Sequence, residues 1–207
     1  MSTARTREPA SKLRPRRRLS RQERHRQLLD VAWRLVREEG TDALTLPRLS
    51  DEADVTKPVV YDHFGTRDGL LIALYRDFDA RQTAIFDAAL GSSEPTLEAT
   101  ARVIATSYVE CVLTQGREMP DVLAALAGSP EMEAVKREYQ LAFIEKCRRA
   151  LASFTAARGV ALASFWAMLG AADALSHAAV TGEITARQAQ DELFETIVSI
   201  VSRSSGP

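Results

Sequence analysis

The sequence predicts an all-α fold of about nine helices, and three features of the chain support this prediction. Apolar residues recur at helical spacing along most of the 207 residues, whereas no segment of useful length alternates as a strand does. Glycine and proline residues divide the chain into lengths that are typical of helices. Because 45% of its residues are hydrophobic, the chain can bury a core without support from disulfides or metals.

The first 19 residues form a basic segment that the composition predicts to be disordered. They include Pro9, Pro15 and many arginines but few large apolar side chains, so they cannot bury enough surface to offset the entropy of ordering. Residues 1–26 contain ten basic and two acidic residues, although the whole chain carries a net charge of -1. A basic end on an acidic body favours contact with a polyanion such as nucleic acid, and the alternative is a solvated tail.

The first two helices are predicted from their caps. Ser20 and Glu23 form a capping box that begins the first helix, and Gly40 is typical of the residue that ends it. Thr45 caps a second, short helix, which tolerates Pro47 in its first turn.

A tight turn at Asp54 and Val55 leads to a third helix. Thr56 caps this helix, which runs from Lys57 to about Phe64. A short helix, a tight turn and a second short helix form a helix-turn-helix, in which the second helix enters the major groove of DNA.

The exposed residues of this second helix suit contact with DNA. The Thr56 hydroxyl and the Lys57 ammonium group lie at a helix start, where the backbone amides attract phosphate. Tyr61 and His63 can donate hydrogen bonds to phosphate oxygens, which fixes the register of the protein on DNA. The apolar residues that can contact a thymine methyl group are Pro58 and Val59.

Six further helices are predicted after Gly65. Segments rich in glycine, serine and proline separate them, and Thr185 with Gln188 forms a second capping box at the start of the last helix. Thr66 caps the first of them, which is followed by a loop at residues 91–95. The others are predicted at about 96–114, from after Pro120 to Ala127, and at about 131–157, 161–181 and 186–202.

A group of residues around residue 64 resembles a signature of the TetR family of transcriptional regulators. The signature is Tyr-x-His-Phe at residues 61–64, followed by a basic residue at Arg67 and a leucine pair at Leu70 and Leu71. The close match covers about residues 21–75, where spacing, caps and apolar anchors agree together. The resemblance implies an N-terminal helix-turn-helix domain that binds DNA and a C-terminal helical domain that binds a ligand and forms a dimer.

The resemblance also implies roles for individual residues. Those expected to contact the DNA backbone are Thr45, Thr56, Lys57, Tyr61, His63 and Arg67. Those expected to read base edges are Pro58 and Val59, with Arg48 or Lys57. Three residues depart from the family pattern: Asp54 replaces a common glycine in the turn, Asp62 adds a negative charge beside DNA, and Arg67 replaces a frequent lysine.

We predict three parts in the chain: a disordered basic tail (1–19), a DNA-binding domain (20–66) and a ligand-binding and dimerisation domain (67–207). One reading helix makes few base contacts and the last two helices are strongly apolar, so we predict a homodimer on a palindrome of double-stranded DNA. The predicted interface residues are Leu162, Trp166, Leu169, Leu193, Ile197 and Val201. The alternative is that these residues form an intramolecular core.

In the TetR family the middle helices enclose a ligand pocket, and the resemblance implies such a pocket here. The candidate lining residues are Phe86, Tyr108, Cys111, Tyr139, Phe143, Cys147 and Trp166. Simple core packing is the alternative for each of them. The predicted function is a repressor that an unidentified small-molecule effector releases from its operator. A transcriptional activator of the same fold and a non-specific DNA-binding protein are the alternatives.

Other classes of protein are disfavoured. His25, His63 and His177 lack metal-binding spacing, and neither a nucleophile elbow nor a phosphate-binding glycine loop is present, so we expect no catalytic residue, metal or cofactor. Two cysteines in apolar stretches fit a reducing cytoplasm. Asp173 and His177 interrupt the most apolar segment, residues 160–180. It therefore falls short of the about 20 uninterrupted apolar residues that a bilayer requires, and no membrane contact is expected.

Overall fold

The computed structural model describes residues 19–156 and 159–204, which contain nine α-helices, one 3-10 turn and no strand. The predicted all-α fold of about nine helices is confirmed. None of these helices is both long enough and apolar enough to cross a bilayer. The predicted disorder of residues 1–19 concerns a segment that, except for Leu19, lies outside the described residues.

The elements are α1 (Arg21–Glu39), α2 (Leu46–Glu52), α3 (Lys57–Phe64), α4 (Arg67–Ser92), α5 (Leu97–Glu118), α6 (Pro120–Ala125), α7 (Pro130–Leu151), the 3-10 turn (Ala152–Phe154), α8 (Leu162–Thr181) and α9 (Ala186–Ser204).

The predicted helix caps are present at the start of α1, α2 and α9. Ser20 Oγ accepts a hydrogen bond from the Glu23 amide at 3.2 Å, and the Ser20 amide donates to Glu23 Oε2 at 2.7 Å. Thr45 caps α2 through its hydroxyl. Thr185 and Gln188 repeat the reciprocal pattern before α9, at 2.9 and 3.2 Å. Each cap satisfies amide groups that the first turn of a helix leaves without an internal partner.

Several helix ends differ from the prediction, and that of α4, at Ser92, lies inside the predicted loop of residues 91–95. Helix α5 continues through Gly116, beyond the predicted end at residue 114, because one internal glycine costs a helix only about 1 kcal/mol. It ends just before Pro120, whose ring disfavours helical backbone at the preceding residue. Helix α7 ends at Leu151, whereas its predicted end at residue 157 lies outside the described residues.

Buried apolar side chains form two clusters. The first joins α1, α2 and α3 to the beginning of α4, to α6 and to the beginning of α7. The second lies among the end of α4, α5, α7, α8 and α9. Leu74 and Phe78 of α4 belong to the first cluster, and Phe86 belongs to the second. Helix α4 therefore contributes to both cores, and the predicted domain boundary between residues 66 and 67 stays a prediction.

A buried carboxylate, Asp77, holds α1 against α4. Its side chain is only 8% exposed and accepts a hydrogen bond from Trp33 Nε1 of α1 at 2.7 Å. Arg26, also on α1, donates to the other carboxylate oxygen of Asp77. Arg81 lies one turn farther along α4, with its Nε 3.5 Å from Asp77. Since α4 contributes to both cores, Asp77 connects the helix-turn-helix part of the chain to the rest.

Candidate nucleic-acid interface

The turn between α2 and α3 sets the orientation of the two helices. Asp54 has a φ of +51°, in the left-handed region that glycine favours and that aspartate tolerates better than most residues. The Val55 amide then donates to the Ser50 carbonyl at 3.0 Å, which closes the turn. The chain thus makes the tight turn of a helix-turn-helix without the glycine that is common there.

Helix α3 is anchored through its inner face. Val60 is fully buried and Phe64 is 9% exposed, and both belong to the first core. Thr56 occupies the N-cap position with extended backbone, but its hydroxyl makes no capping hydrogen bond. Pro58 in the first turn lacks an amide hydrogen that the helix would leave unsatisfied there anyway. The anchored inner face leaves the start of α3 exposed.

The outer face of α3 carries four exposed residues: Lys57, Pro58, Tyr61 and Asp62. Tyr61 is 49% exposed although it is a large aromatic residue. Residues three and four positions apart lie on one side of a helix, so these side chains form a continuous surface. Two further residues of α3 are half-buried beside it, Val59 and His63. The surface combines a cation, a phenol hydroxyl and apolar groups, which together can contact phosphates and base edges.

Asp62 is the acidic residue on this surface, and Arg21 neutralises it. The Arg21 Nη1 donates to Asp62 Oδ2 at 2.8 Å, and its Nη2 donates to the Asp62 carbonyl at 3.2 Å. Both side chains are well exposed, so the pair contributes little stability. Its effect is on charge, because it offsets the carboxylate that departs from the family pattern. The sequence analysis missed this contact, and the basic run at residues 1–26 was the signal for it.

His63 packs against the rings of His25 and Phe64, at centroid distances of 5.4 and 6.0 Å. Burial lowers the pKa of His63 below its ordinary value, and the neighbouring His25 and Arg21 lower it further. Asp62 opposes this shift. The imidazole of the free protein is therefore mainly neutral at pH 7 and presents one N–H group.

Two arginines that were predicted to contact DNA have partners within the protein. Arg48 pairs with Glu39 at 2.9 Å and with Glu52 at 3.2 Å, and the hydrogen bond to Glu39 raises the pKa of Arg48. Arg67 donates to the backbone carbonyls of Thr41 at 2.8 Å and Leu44 at 3.1 Å. Arg67 thus joins the start of α4 to the segment before α2, a structural role that the sequence analysis did not foresee.

Residues 28–74 match the family described as bacterial regulatory proteins, tetR family. A curated relative, the HTH-type transcriptional regulator BetI of Brucella anthropi, is 29% identical over 85 residues. This N-terminal segment of the chain is similar to the TetR family. The alignment covers 41% of this chain and 44% of BetI, so the matched segment spans less than half the length of that relative.

Solved structures of TetR-family proteins share the fold along most of the chain. A TetR-family transcriptional regulator from Streptomyces coelicolor, SCO4454, is 23% identical, with a TM-score of 0.60 over 88% of this chain and 91% of its own. A TetR-family chain from Rhodococcus sp. is 17% identical, with a TM-score of 0.64 over 86% and 99%. The multidrug binding protein EbrR, complexed with ethidium, is 20% identical, with a TM-score of 0.58 over 84% and 98%.

Four residues predicted at a dimer interface are core residues of the protomer. The exposed fractions of Leu169, Leu193, Ile197 and Val201 are 2%, 1%, 0% and 1%. Helix α9 packs its apolar side on α5 and α8, and this packing buries that side within one chain. These four side chains therefore pack as the intramolecular alternative expects, and their part in a dimer interface stays a prediction.

The other two predicted interface residues lie on α8 and keep some exposure. Leu162 is 62% exposed, whereas Trp166 is half-buried with the Arg137 guanidinium 4.3 Å from its ring centroid. Helix α8 also carries an exposed stripe of mostly small side chains, whose positions alternate along the sequence with those of its buried residues. Its members are Ala163, Ala167, Gly170, Ala174, His177 and Thr181.

The seven candidate pocket residues are divided between the two cores. Phe86 and Cys147 are buried in the second core, and Tyr108, Phe143 and Trp166 pack against it. The remaining two pack against the first core, namely Cys111 and Tyr139. The centroid of the Phe143 ring lies 5.0 Å from that of Tyr108 and 5.9 Å from that of Phe86, so Phe143 packs against both rings. Their arrangement in the free protein is that of core packing.

The polar groups of this region are held in unreactive states. The Tyr108 hydroxyl donates to Asp173 Oδ1 at 2.5 Å, and burial followed by this hydrogen bond raises the pKa of Tyr108. Burial raises the pKa of both Cys111 and Cys147 to about 12, so both thiols are protonated and poor nucleophiles. Among the described residues, no three His, Cys, Asp or Glu side chains are grouped to hold a metal ion.

Proposed function

We propose that this protein is a sequence-specific transcriptional regulator of the TetR family that binds a palindromic operator as a homodimer. The observation that carries the proposal is the exposed outer face of α3, which holds Lys57, Pro58 and Tyr61 on a helix fixed by its buried inner face. A solvent-exposed tyrosine beside a lysine at a helix start is suited to phosphate and base contacts. Neutralisation of Asp62 by Arg21 makes this face more favourable for DNA.

The DNA contacts are assigned by what each side chain does in the free protein. Lys57, Tyr61 and the Thr56 hydroxyl are available, and we assign them to phosphates. Pro58 and Val59 are assigned to base edges. Four residues each have a partner or a cap inside the protein, and we assign them to secondary contacts. They are Thr45, Arg48, His63 and Arg67.

The homodimer is proposed to form through the exposed stripe of α8. Ala167, Gly170 and Ala174 are small, so they allow two helices to approach closely. A Cβ atom built on Gly170 meets nothing within 4 Å, which means that the space above it is free in the protomer. The exposed Leu162 at one end and the 48% exposed Val180 at the other extend the apolar surface. Pairing two such stripes would remove an apolar surface from water on both protomers.

We further propose that the protein is a repressor and that a small molecule entering the aromatic region of α5, α7 and α8 releases it from DNA. EbrR, which shares the fold, is a multidrug binding protein whose structure holds ethidium. The Phe143 ring packs against those of Phe86 and Tyr108, so a flat ligand would have to displace these rings to enter. Ligand binding would then favour a spacing of the two reading heads that no longer fits the operator. The second candidate is an activator of the same fold.

The first test is the selection of genomic DNA fragments by the purified full-length protein, followed by sequencing. A shared palindrome among the bound fragments is the expected result. Binding without a shared motif, with an affinity set mainly by salt, would favour a non-specific DNA-binding protein and contradict the proposal.

The second test uses variants of the outer face of α3. Lys57→Ala is expected to weaken operator binding and to lower the slope of log affinity against log salt by about one, because one phosphate contact is lost. Tyr61→Ala is expected to weaken binding about tenfold through the loss of one charge-assisted hydrogen bond. Lys136→Ala on α7 is the matched control, since Lys136 is an exposed lysine that pairs with Glu133. Equal affinities for all three variants would contradict the assignment of α3.

A further inference from the structure

A cavity of about 490 Å³ lies where α1 and α4 meet the junction of α5 and α6. Its walls include Trp33 and Arg37 of α1, Arg81 of α4, Arg117 of α5 and Pro120 of α6. A volume of this size is within the range of sites that hold small molecules. The lining is distinct from the aromatic region of α5, α7 and α8 discussed above. Its walls come from both sides of the Asp77 contact, so an occupant would touch α1 and the C-terminal helices at once.

The charge of the cavity is positive. Among the side chains that the structure describes, three arginines line it, Arg37, Arg81 and Arg117, against one carboxylate, Asp121. Arg81 is oriented by its contact with Asp77 at 3.5 Å and lies 5.2 Å from the centroid of the Trp33 ring. Within the residues that the structure describes, Arg37 and Arg117 form no ion pair. Their charges are thus available to a ligand.

The cavity also offers apolar contacts. Trp33 is 6% exposed and forms part of the wall, together with Val36, Met119 and Pro120. Guanidinium groups bind carboxylates and phosphates through charge-assisted, often bidentate hydrogen bonds. A cavity with cationic groups and an apolar wall therefore suits a molecule that has an anionic group and a compact apolar body.

We propose that this cavity binds a small organic anion, with its anionic group at Arg37 and Arg117 and its apolar body against Val36 and Pro120. Such a ligand would stabilise one arrangement of α1 relative to the α5–α6 junction. Its effect on DNA binding rests on the proposed function, whereas its binding to the cavity does not. The test below therefore contains no DNA, and its failure would leave the proposed function standing.

The test measures Trp33 fluorescence in the full-length protein. The chain has two tryptophans, so Trp166→Phe leaves Trp33 as the single reporter. Benzoate is the probe, benzamide is its neutral counterpart, and inorganic phosphate is an anion without an apolar body. Saturable quenching by benzoate is expected, with benzamide and phosphate each binding at least about tenfold more weakly, since each lacks one half of the recognition. Equal binding of benzamide or of phosphate would overturn the proposed ligand class, and absence of a saturable signal would overturn the site.

Variants of the charged lining residues distinguish this site from unspecific binding. Arg37→Ala and Arg117→Ala are each expected to weaken benzoate binding about tenfold, because each removes one charge-assisted contact. Asp121→Asn is expected to strengthen it, an outcome that misfolding would not produce. Arg187→Ala on α9 is the matched control, because Arg187 is an exposed arginine remote from the cavity lining. Unchanged affinity in the first two variants would overturn the proposal.

Discussion

The contact of Asp77 with α1 makes a quantitative prediction about stability. Asp77→Asn keeps the shape of the side chain but removes the charge that faces Arg26 and Arg81 and weakens the acceptor for Trp33 Nε1. The matched control is Asp87→Asn on the same helix, where the carboxylate pairs with Lys146 at 2.6 Å and its side chain is 55% exposed rather than 8%.

The magnitude follows from burial. A hydrogen bond to a charged group contributes about 1.5–3 kcal/mol, while each ion pair with a partly exposed arginine contributes at most about 1 kcal/mol. The side chains of Arg26 and Arg81 are 53% and 40% exposed, so we use the low end for both ion pairs. Asp77→Asn should therefore lower the free energy of unfolding by about 2 kcal/mol, and Asp87→Asn by about 0–1 kcal/mol.

The assay is urea denaturation of both variants, followed by a double-mutant cycle with Trp33→Phe, which removes the indole N–H. A loss of about 2 kcal/mol corresponds to a fall in Tm of about 4–8 °C for a chain of this size. The cycle should give a coupling free energy of about 0.5–3 kcal/mol between Trp33 and Asp77. If Asp77→Asn is no more destabilising than Asp87→Asn, or if the coupling is zero, the carboxylate does not hold α1 against α4.

Three further predictions concern the proposed DNA contacts, the dimer and the turn. Phosphates should raise the lowered pKa of His63, so operator binding should take up a proton and tighten as the pH falls from about 8 to about 6. His63→Gln should remove that part of the pH dependence. An unchanged pH profile in this variant would contradict a contact between His63 and phosphate. Gly170→Arg should give a folded monomer in sedimentation, whereas Gly91→Arg, at another helical glycine with open space, should stay dimeric; a dimeric Gly170→Arg protein would exclude the α8 stripe. Asp54→Val should lower the free energy of unfolding by about 1–2 kcal/mol relative to Asp54→Gly, because a β-branched residue disfavours a φ of +51°; equal urea midpoints would refute this.

The helix boundaries and the helix-turn-helix could be predicted because they depend on local chemistry. A side-chain cap such as Ser20 or Thr45 acts within three residues, and the apolar repeat of a helix extends over only a few turns. Asp54 could be placed in the turn for the same reason. The end of α5 was misjudged because Gly116 weakens a helix without ending it, whereas Pro120 does end it.

The surfaces of the C-terminal helices could not be predicted in this way. Helix α8 is apolar on nearly every side, so its sequence does not say which side packs inward. Leu193 and Ile197 of α9 form an apolar stripe that suits a dimer interface and an intramolecular core equally well. Only the packing of α9 on α5 and α8 decides that they are buried within one chain and that the small residues of α8 stay exposed.

The same distinction applies to the charged side chains. The sequence was sufficient to place Lys57 and Tyr61 together on the surface of α3, because helical spacing alone brings these residues to one face. Arg21, Arg67 and Asp77 each have a partner on another part of the chain, 23 or more positions away, at Asp62, Leu44 and Trp33 respectively. Long side chains can reach many partners from one helix position, so an ion pair or hydrogen bond between elements is decided only when the helices pack and bring the two groups together.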